Sequence, residues 1–105
     1  MALPHTEALL ACLKRSPEYN PNSGTFAVDA HTPKLLSITM KNILLELRRP
    51  VNVARKVSME MERILNCRVG TEVEAHHIAV LFASITQQME KKYGFEGMHQ
   101  SLRKA

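Results

Sequence analysis

The segment from Thr32 to Arg49, TPKLLSITMKNILLELRR, constrains the fold more than any other part of the chain. Pro33 opens it and Pro50 follows it. A proline suits a helix start, where its missing amide hydrogen would have no partner, and it disfavours helix in the residue before it. Thr32 therefore reads as the N-cap and Arg49 as the end of the helix. At about 100° per residue, Leu36, Met40, Ile43 and Leu47 gather on one side, with Leu44 at its edge. Nearly opposite lie Lys34, Ile38, Lys41, Leu45 and Arg48, which alternate cation with aliphatic along a seam resembling a coiled-coil face. A helix that is apolar on two sides needs two partners. Either Ile38 and Leu45 touch another helix of the same domain while the lysine and arginine stems reach out to water, or they form an exposed face for a subunit, a partner helix or phosphates.

The remaining elements can be read in the same way. Leu9, Leu10 and Leu13 recur at helical spacing before Pro17 and define a first helix over about residues 5–16. PEYNPNSGTFAVDAH is rich in turn formers and reads as a loop over residues 16–32, with a brief extended stretch at Phe26 and Val28 too short to predict a sheet. Val53, Val57, Met61, Ile64 and Leu65 line one face of a third helix, with Arg55, Lys56 and Arg63 pointing away from it. After Gly70, Thr71-Glu72-Val73-Glu74 has the form of a capping box, in which hydroxyl and carboxylate satisfy the first free amides of a helix. That fourth helix carries Ile78, Leu81, Phe82, Ile85, Met89 and Tyr93 on its apolar face and stops at Gly94. The tail, residues 95–105, offers little to bury and reads as weakly ordered. Short connections favour antiparallel neighbours. The expected fold is a single all-α domain over residues 1–105, a compact three- to four-helix antiparallel bundle. Helices 2, 3 and 4 form its core, helix 1 packs across it, and homodimerisation completes or extends it.

A chain of 105 residues suits one domain with a modest core, which oligomerisation would supplement. Hydrophobic residues make up 45%, too many for wholesale disorder. Tryptophan is absent and aromatics amount to 5%, so the core is aliphatic and methionine-rich, and stacking platforms for bases are scarce. Cys12 and Cys67 lie inside apolar patterns at a separation that suits neither a disulfide framework nor a zinc site, and read as buried free thiols of a reducing compartment. The first residues lack a basic run before their short apolar stretch, and no stretch of about 18 apolar residues occurs. A cytoplasmic protein without membrane insertion is expected.

The basic positions carry the most chemistry. Lys41, Arg48, Arg49, Arg55 and Lys56 cluster around the corner at Pro50, where a folded chain could present several cations to phosphates. The net charge of +4 favours a polyanionic partner, nucleic acid above all. The alternative is a solvated basic face balanced by Glu46, Glu60 and Glu62. A helix-turn-helix with helix 3 as the reader would need shorter helices and a turn glycine. Glu74-Ala75-His76-His77 and Glu96-Gly97-Met98-His99 each contain Glu-x-x-His, the spacing that bundles use for paired metals, with Glu60 or Glu62 at a similar depth to Glu74 and His77. Glu74 already has a capping role, and no metal or other cofactor is expected. Neither a nucleophile elbow nor a phosphate-cradling glycine loop is present, so no enzyme is expected.

Two functions follow from these residues. The first is a small nonenzymatic nucleic-acid-associated or regulatory protein that binds phosphates through Lys41, Arg48, Arg49, Arg55 and Lys56. The second is a protein-interaction module such as an adaptor, chaperone or inhibitor, with Ile38, Leu45 and Met59 as apolar anchors among charges.

Overall fold

A computed structural model describes residues 3–94, and the tail from residue 95 onward lies outside the described residues. The chain runs α1 (Pro4–Arg15), β1 (Tyr19–Asn20), β2 (Thr25–Ala27), α2 (Thr32–Glu46), α3 (Val51–Asn66), β3 (Glu72–Glu74) and α4 (Ala75–Met89), and α4 continues into a π-helical turn, Glu90–Gly94. The helices close into a ring in which α1 and α3 each lie between α2 and α4. Helix α1 is thus a full member of the bundle and not a cover across three others.

Burial follows the helical stripes. Leu9 and Leu13 of α1, Met40 and Leu44 of α2, Val53, Val57 and Met61 of α3, and Ile78 and Phe82 of α4 are removed from solvent. Each set recurs at the three- or four-residue spacing that one helix face provides. This aliphatic core, with Phe82 its largest fully buried side chain, is the main stabilising term.

The fold is mostly helical, but a small antiparallel sheet corrects the all-α expectation. Its strand order is β1-β2-β3, with Tyr19 opposite Phe26 and Phe26 opposite Val73. The stretch from 16 to 32, expected as loop, contains a β-hairpin. Asn20 closes its turn: its side-chain oxygen accepts from the Asn22 amide at 2.9 Å, and its carbonyl accepts from Gly24, which sits at φ +73°. Glycine tolerates that left-handed conformation because it lacks a Cβ. Phe26 points into the core, and that burial, together with the partner strand some 45 residues away, makes a sheet of a segment too short to declare itself.

The third strand overturns the proposed capping box. The Thr71 hydroxyl donates back to the Arg68 carbonyl at 2.7 Å, and residues 72–74 are extended against β2. Helix α4 begins at Ala75 without a side-chain cap. The start of α2 also differs from expectation. Asp29 supplies the cap: its carboxylate accepts from the His31 and Thr32 amides at 2.8 and 3.0 Å and from the Thr32 hydroxyl. The Thr32 hydroxyl in turn accepts from the Asp29 amide at 2.9 Å. These bonds, the His31 amide first and the Thr32 hydroxyl next, hold the Asp29 carboxyl below the usual carboxylate range.

Helix α2 ends at Glu46, three residues before the expected stop. The Arg49 amide donates to the Leu44 carbonyl at 2.9 Å and the Arg48 amide to the Leu45 carbonyl at 3.0 Å. This pair of bonds is a Schellman motif, and it places Arg48 in the left-handed region at φ 61°. Leu47, expected in the core stripe, sits beyond the last helical residue and is exposed. The turn sends α3 back along α2, so that the Ser37 hydroxyl near the start of one helix meets Glu62 near the end of the other at 3.3 Å. Helices lying alongside one another over that length do not make the open crossing of a helix-turn-helix.

An arginine at a position that glycine fills without strain costs stability. Arg48→Gly is expected to stabilise the protein by about 0.5–1 kcal/mol, read as a higher urea midpoint at unchanged slope. A lower midpoint would mean that the Arg48 side chain contributes contacts outweighing its backbone strain.

Candidate functional site

The basic corner forms, but its cations have different fates. The Arg49 guanidinium pairs with the Glu90 carboxylate at the start of the π-helical turn. The Lys56 ammonium lies 5.3 Å from the centre of the Tyr93 ring, and Lys92 lies 5.4 Å from it. The Asn52 side-chain amide donates to the Tyr93 carbonyl at 3.2 Å. Arg49, Asn52 and Lys56 therefore fasten the end of α4 to the α2–α3 corner. Arg48 and Arg55 are exposed, and Lys41 lies half-buried on the flank of α2. Of the expected phosphate ligands, two are engaged within the chain and Arg48 and Arg55 reach freely into solvent.

His5 lies beneath this corner, buried, its ring edge-on to Phe82 with centroids 5.3 Å apart. Neither ring nitrogen has a hydrogen-bond partner among the described residues. Burial, and secondarily the Arg49 guanidinium, hold its pKa below the ordinary 6.5, against the opposing pull of Glu90.

The outer face of α2 is apolar and uncovered. Leu35 is 60% exposed, Ile38 49% and Leu45 36%. With Asn42 they form a stripe centred opposite the core positions Leu36, Met40, Ile43 and Leu44. Its centre passes through Leu35, Ile38, Asn42 and Leu45, while Lys34 and Lys41 flank it. The seam expected from Lys34, Ile38, Lys41, Leu45 and Arg48 is thus rotated toward Leu35, and it ends before Arg48, which is outside the helix. Leu35 forms a ridge between two open grooves. One of about 180 Å³ lies against Cys12, Phe26 and Thr39, and one of about 390 Å³ against His31, Lys34 and Ile38.

Met59 is 60% exposed on the outer face of α3, one turn from both Arg55 and Arg63. Arg63 makes a two-pronged ion pair with Glu60 at 3.0 and 2.7 Å, which lowers the glutamate's pKa and raises the arginine's. Both are solvent-facing, so the pair adds little stability.

A third open groove of about 320 Å³ lies near the other end of α3, lined by Ile64, Arg68, Glu72, Glu74 and His77 among others. It brings together the Glu-x-x-His pair, Glu74 at the end of β3 and His77 on α4, yet no group of three or more potential metal ligands forms among the described residues. Glu96 and His99 lie outside those residues. Cys12 and Cys67 are free, but the expectation of burial fails: Cys12 is half-buried and Cys67, at the end of α3, is exposed. No described helix is long and apolar enough to cross a membrane.

Leu35, Asn42, His5, Glu90 and Tyr93 are the site residues that sequence reasoning misses. The three-, four- and three-residue intervals of Leu35, Ile38, Asn42 and Leu45 were the signal for the first two. Nothing in the linear order pairs Arg49 with Glu90. The chain matches no family model, no curated protein and no solved structure.

Because the unfolded chain protonates His5 near pH 6.5 and the folded chain resists doing so, stability is full above that value and falls as pH drops toward the folded pKa. The wild-type melting temperature is expected to fall between about pH 7 and pH 5, above the range in which carboxylates titrate, and His5→Leu should remove most of that fall. An equal fall in the variant would place the acid sensitivity elsewhere.

Proposed function

We propose that this chain is a nonenzymatic protein-interaction module that docks a partner on the outer face of α2. The observation that carries it is the exposed row of Leu35, Ile38 and Leu45 on a helix whose opposite side is already the core. Contiguous apolar side chains rimmed by charge, here Lys34, Lys41 and Glu46, are what binding surfaces require: a centre that loses water and an edge that stays wet. Met59, standing apart on α3, serves as a second apolar contact. Assembly into a homo-oligomer is one form this docking takes. The free thiols, one of them exposed, suit a reducing, cytoplasmic setting.

Phosphate or nucleic-acid binding at the corner is the second function, favoured by one observation. Arg48 keeps an exposed cation at a left-handed position where glycine would be less strained. With Arg49 and Lys56 committed to Glu90 and Tyr93, that function falls to Arg48 and Arg55, supported by Lys41.

The test places a photo-crosslinking amino acid at Ile38 and, separately, at Val80, which is equally exposed at 49% but lies on α4. In cells expressing the chain, Ile38 is expected to give a discrete adduct and Val80 none. Ile38→Asp/Leu45→Asp should suppress the adduct formed by a probe at Leu35 while leaving the helical signal intact. Loss of helix would mark these residues as core, and absence of any adduct would reject the α2 surface. An anisotropy titration with single- and double-stranded oligonucleotides decides the second function. Binding that weakens steeply with salt, with Arg48→Ala/Arg55→Ala flattening the slope, would establish it in place of the first.

A further inference from the structure

We infer that the occupant of the α2 face is a second copy of this chain, paired parallel and in register about a two-fold axis, an assignment that rests on the interaction-module reading and names its partner. Leu35, Ile38, Asn42 and Leu45 follow one another at intervals of three, four and three residues, the a-d-a-d spacing by which two helices interlock. The stripe is centred opposite the core, and Leu35, Ile38, Asn42 and Leu45 are all exposed along it.

The polar and charged members fix the orientation. Asn42 occupies the second a position. In a parallel pair it faces Asn42 of the other copy, and the two amides hydrogen-bond; in an antiparallel pair it would face Ile38 and be buried without a partner. A lone asparagine at such a position specifies register and a two-stranded state at some cost in affinity. Lys41 precedes the seam on one flank and Glu46 follows it on the other. In the parallel arrangement each Lys41 faces Glu46 of the other copy, twice by symmetry, whereas the antiparallel arrangement would bring Lys34 toward Lys41. Neither Lys41 nor Glu46 has an ion-pair partner among the described residues, so both are available for this contact. The seam is only two heptads long, and Ile38 at a d position does not itself favour two strands. Asn42 and the Lys41–Glu46 pairs therefore select the pairing, and the association is concentration-dependent, with a Kd of about 1–100 µM.

Sedimentation equilibrium of the full chain from about 1 µM to 1 mM should show a reversible monomer–dimer exchange. Lys41→Glu or Glu46→Lys alone should weaken the dimer about tenfold by setting like charges face to face, and the double exchange should restore it to within about threefold. In a Cys12→Ser/Cys67→Ser background under oxidised glutathione, Leu45→Cys should link to itself. An antiparallel pair would instead link Leu35→Cys to Leu45→Cys in a mixture of the two variants. Circular dichroism confirms that each variant stays folded. Charge reversals without effect, the mixed linkage, or a trimer or tetramer mass would overturn the parallel pair. A chain that stays monomeric while the Ile38 probe captures a different protein would reject the second copy and leave the module standing. A monomer with no adduct at all would reject both.

Discussion

The turn that closes α2 governs the rest of the molecule. Two backbone bonds, from Arg48 to Leu45 and from Arg49 to Leu44, stop the helix at Glu46 and reverse the chain. From that reversal follow the direction of α3, its lengthwise packing on α2, and the position of Arg49 opposite Glu90. Had α2 run on to Pro50, Leu47 would have stayed on the core side and Arg48 on the helix surface. The α3 stripe of Val53, Val57 and Met61 would then have met α2 in a different register.

Around that turn, polar contacts locate and apolar contacts stabilise. The Arg49–Glu90 pair is about one-third exposed on both sides, so screening by water limits its strength. Together with the Asn52–Tyr93 bond and the Lys56 stack, it fixes where the last turn of α4 sits. Burial of Leu9, Leu44, Met61 and Phe82 holds the helices together regardless of that positioning. The outer face of α2 instead leaves Leu35, Ile38 and Leu45 exposed, and that contrast makes it the candidate site.

The helices were legible because their apolar residues recur with one dominant period. Val53, Val57, Met61 and Leu65 could be assigned to a buried face without any knowledge of neighbours. The sheet was not legible. Two- and three-residue strands carry no period, and Glu72-Val73-Glu74 satisfies the pattern of a helix cap as well as that of a strand. Pairing with Thr25–Ala27 decided between the two, and pairing is a property of the folded chain. The α2 stop was hidden because an arginine, and not a glycine, takes the left-handed position. The candidate site is half legible: Ile38 and Leu45 share a helical spacing with Lys34 and Lys41, which places the seam one flank away from its centre at Leu35 and Asn42.

The sheet also orders the events of folding. Its first two strands are adjacent in the chain, but its third belongs to residues 72–74, with the whole α2–α3 hairpin between them. Local contacts form early and distant ones late, because a long loop must close before its ends gain anything from meeting. The hairpin of α2 and α3 needs no contact with the far strand, whereas Phe26 meets its cross-strand neighbour Val73 only when residues 72–74 fold back onto β2. The small sheet acts as a latch that reports the arrival of the second half of the chain.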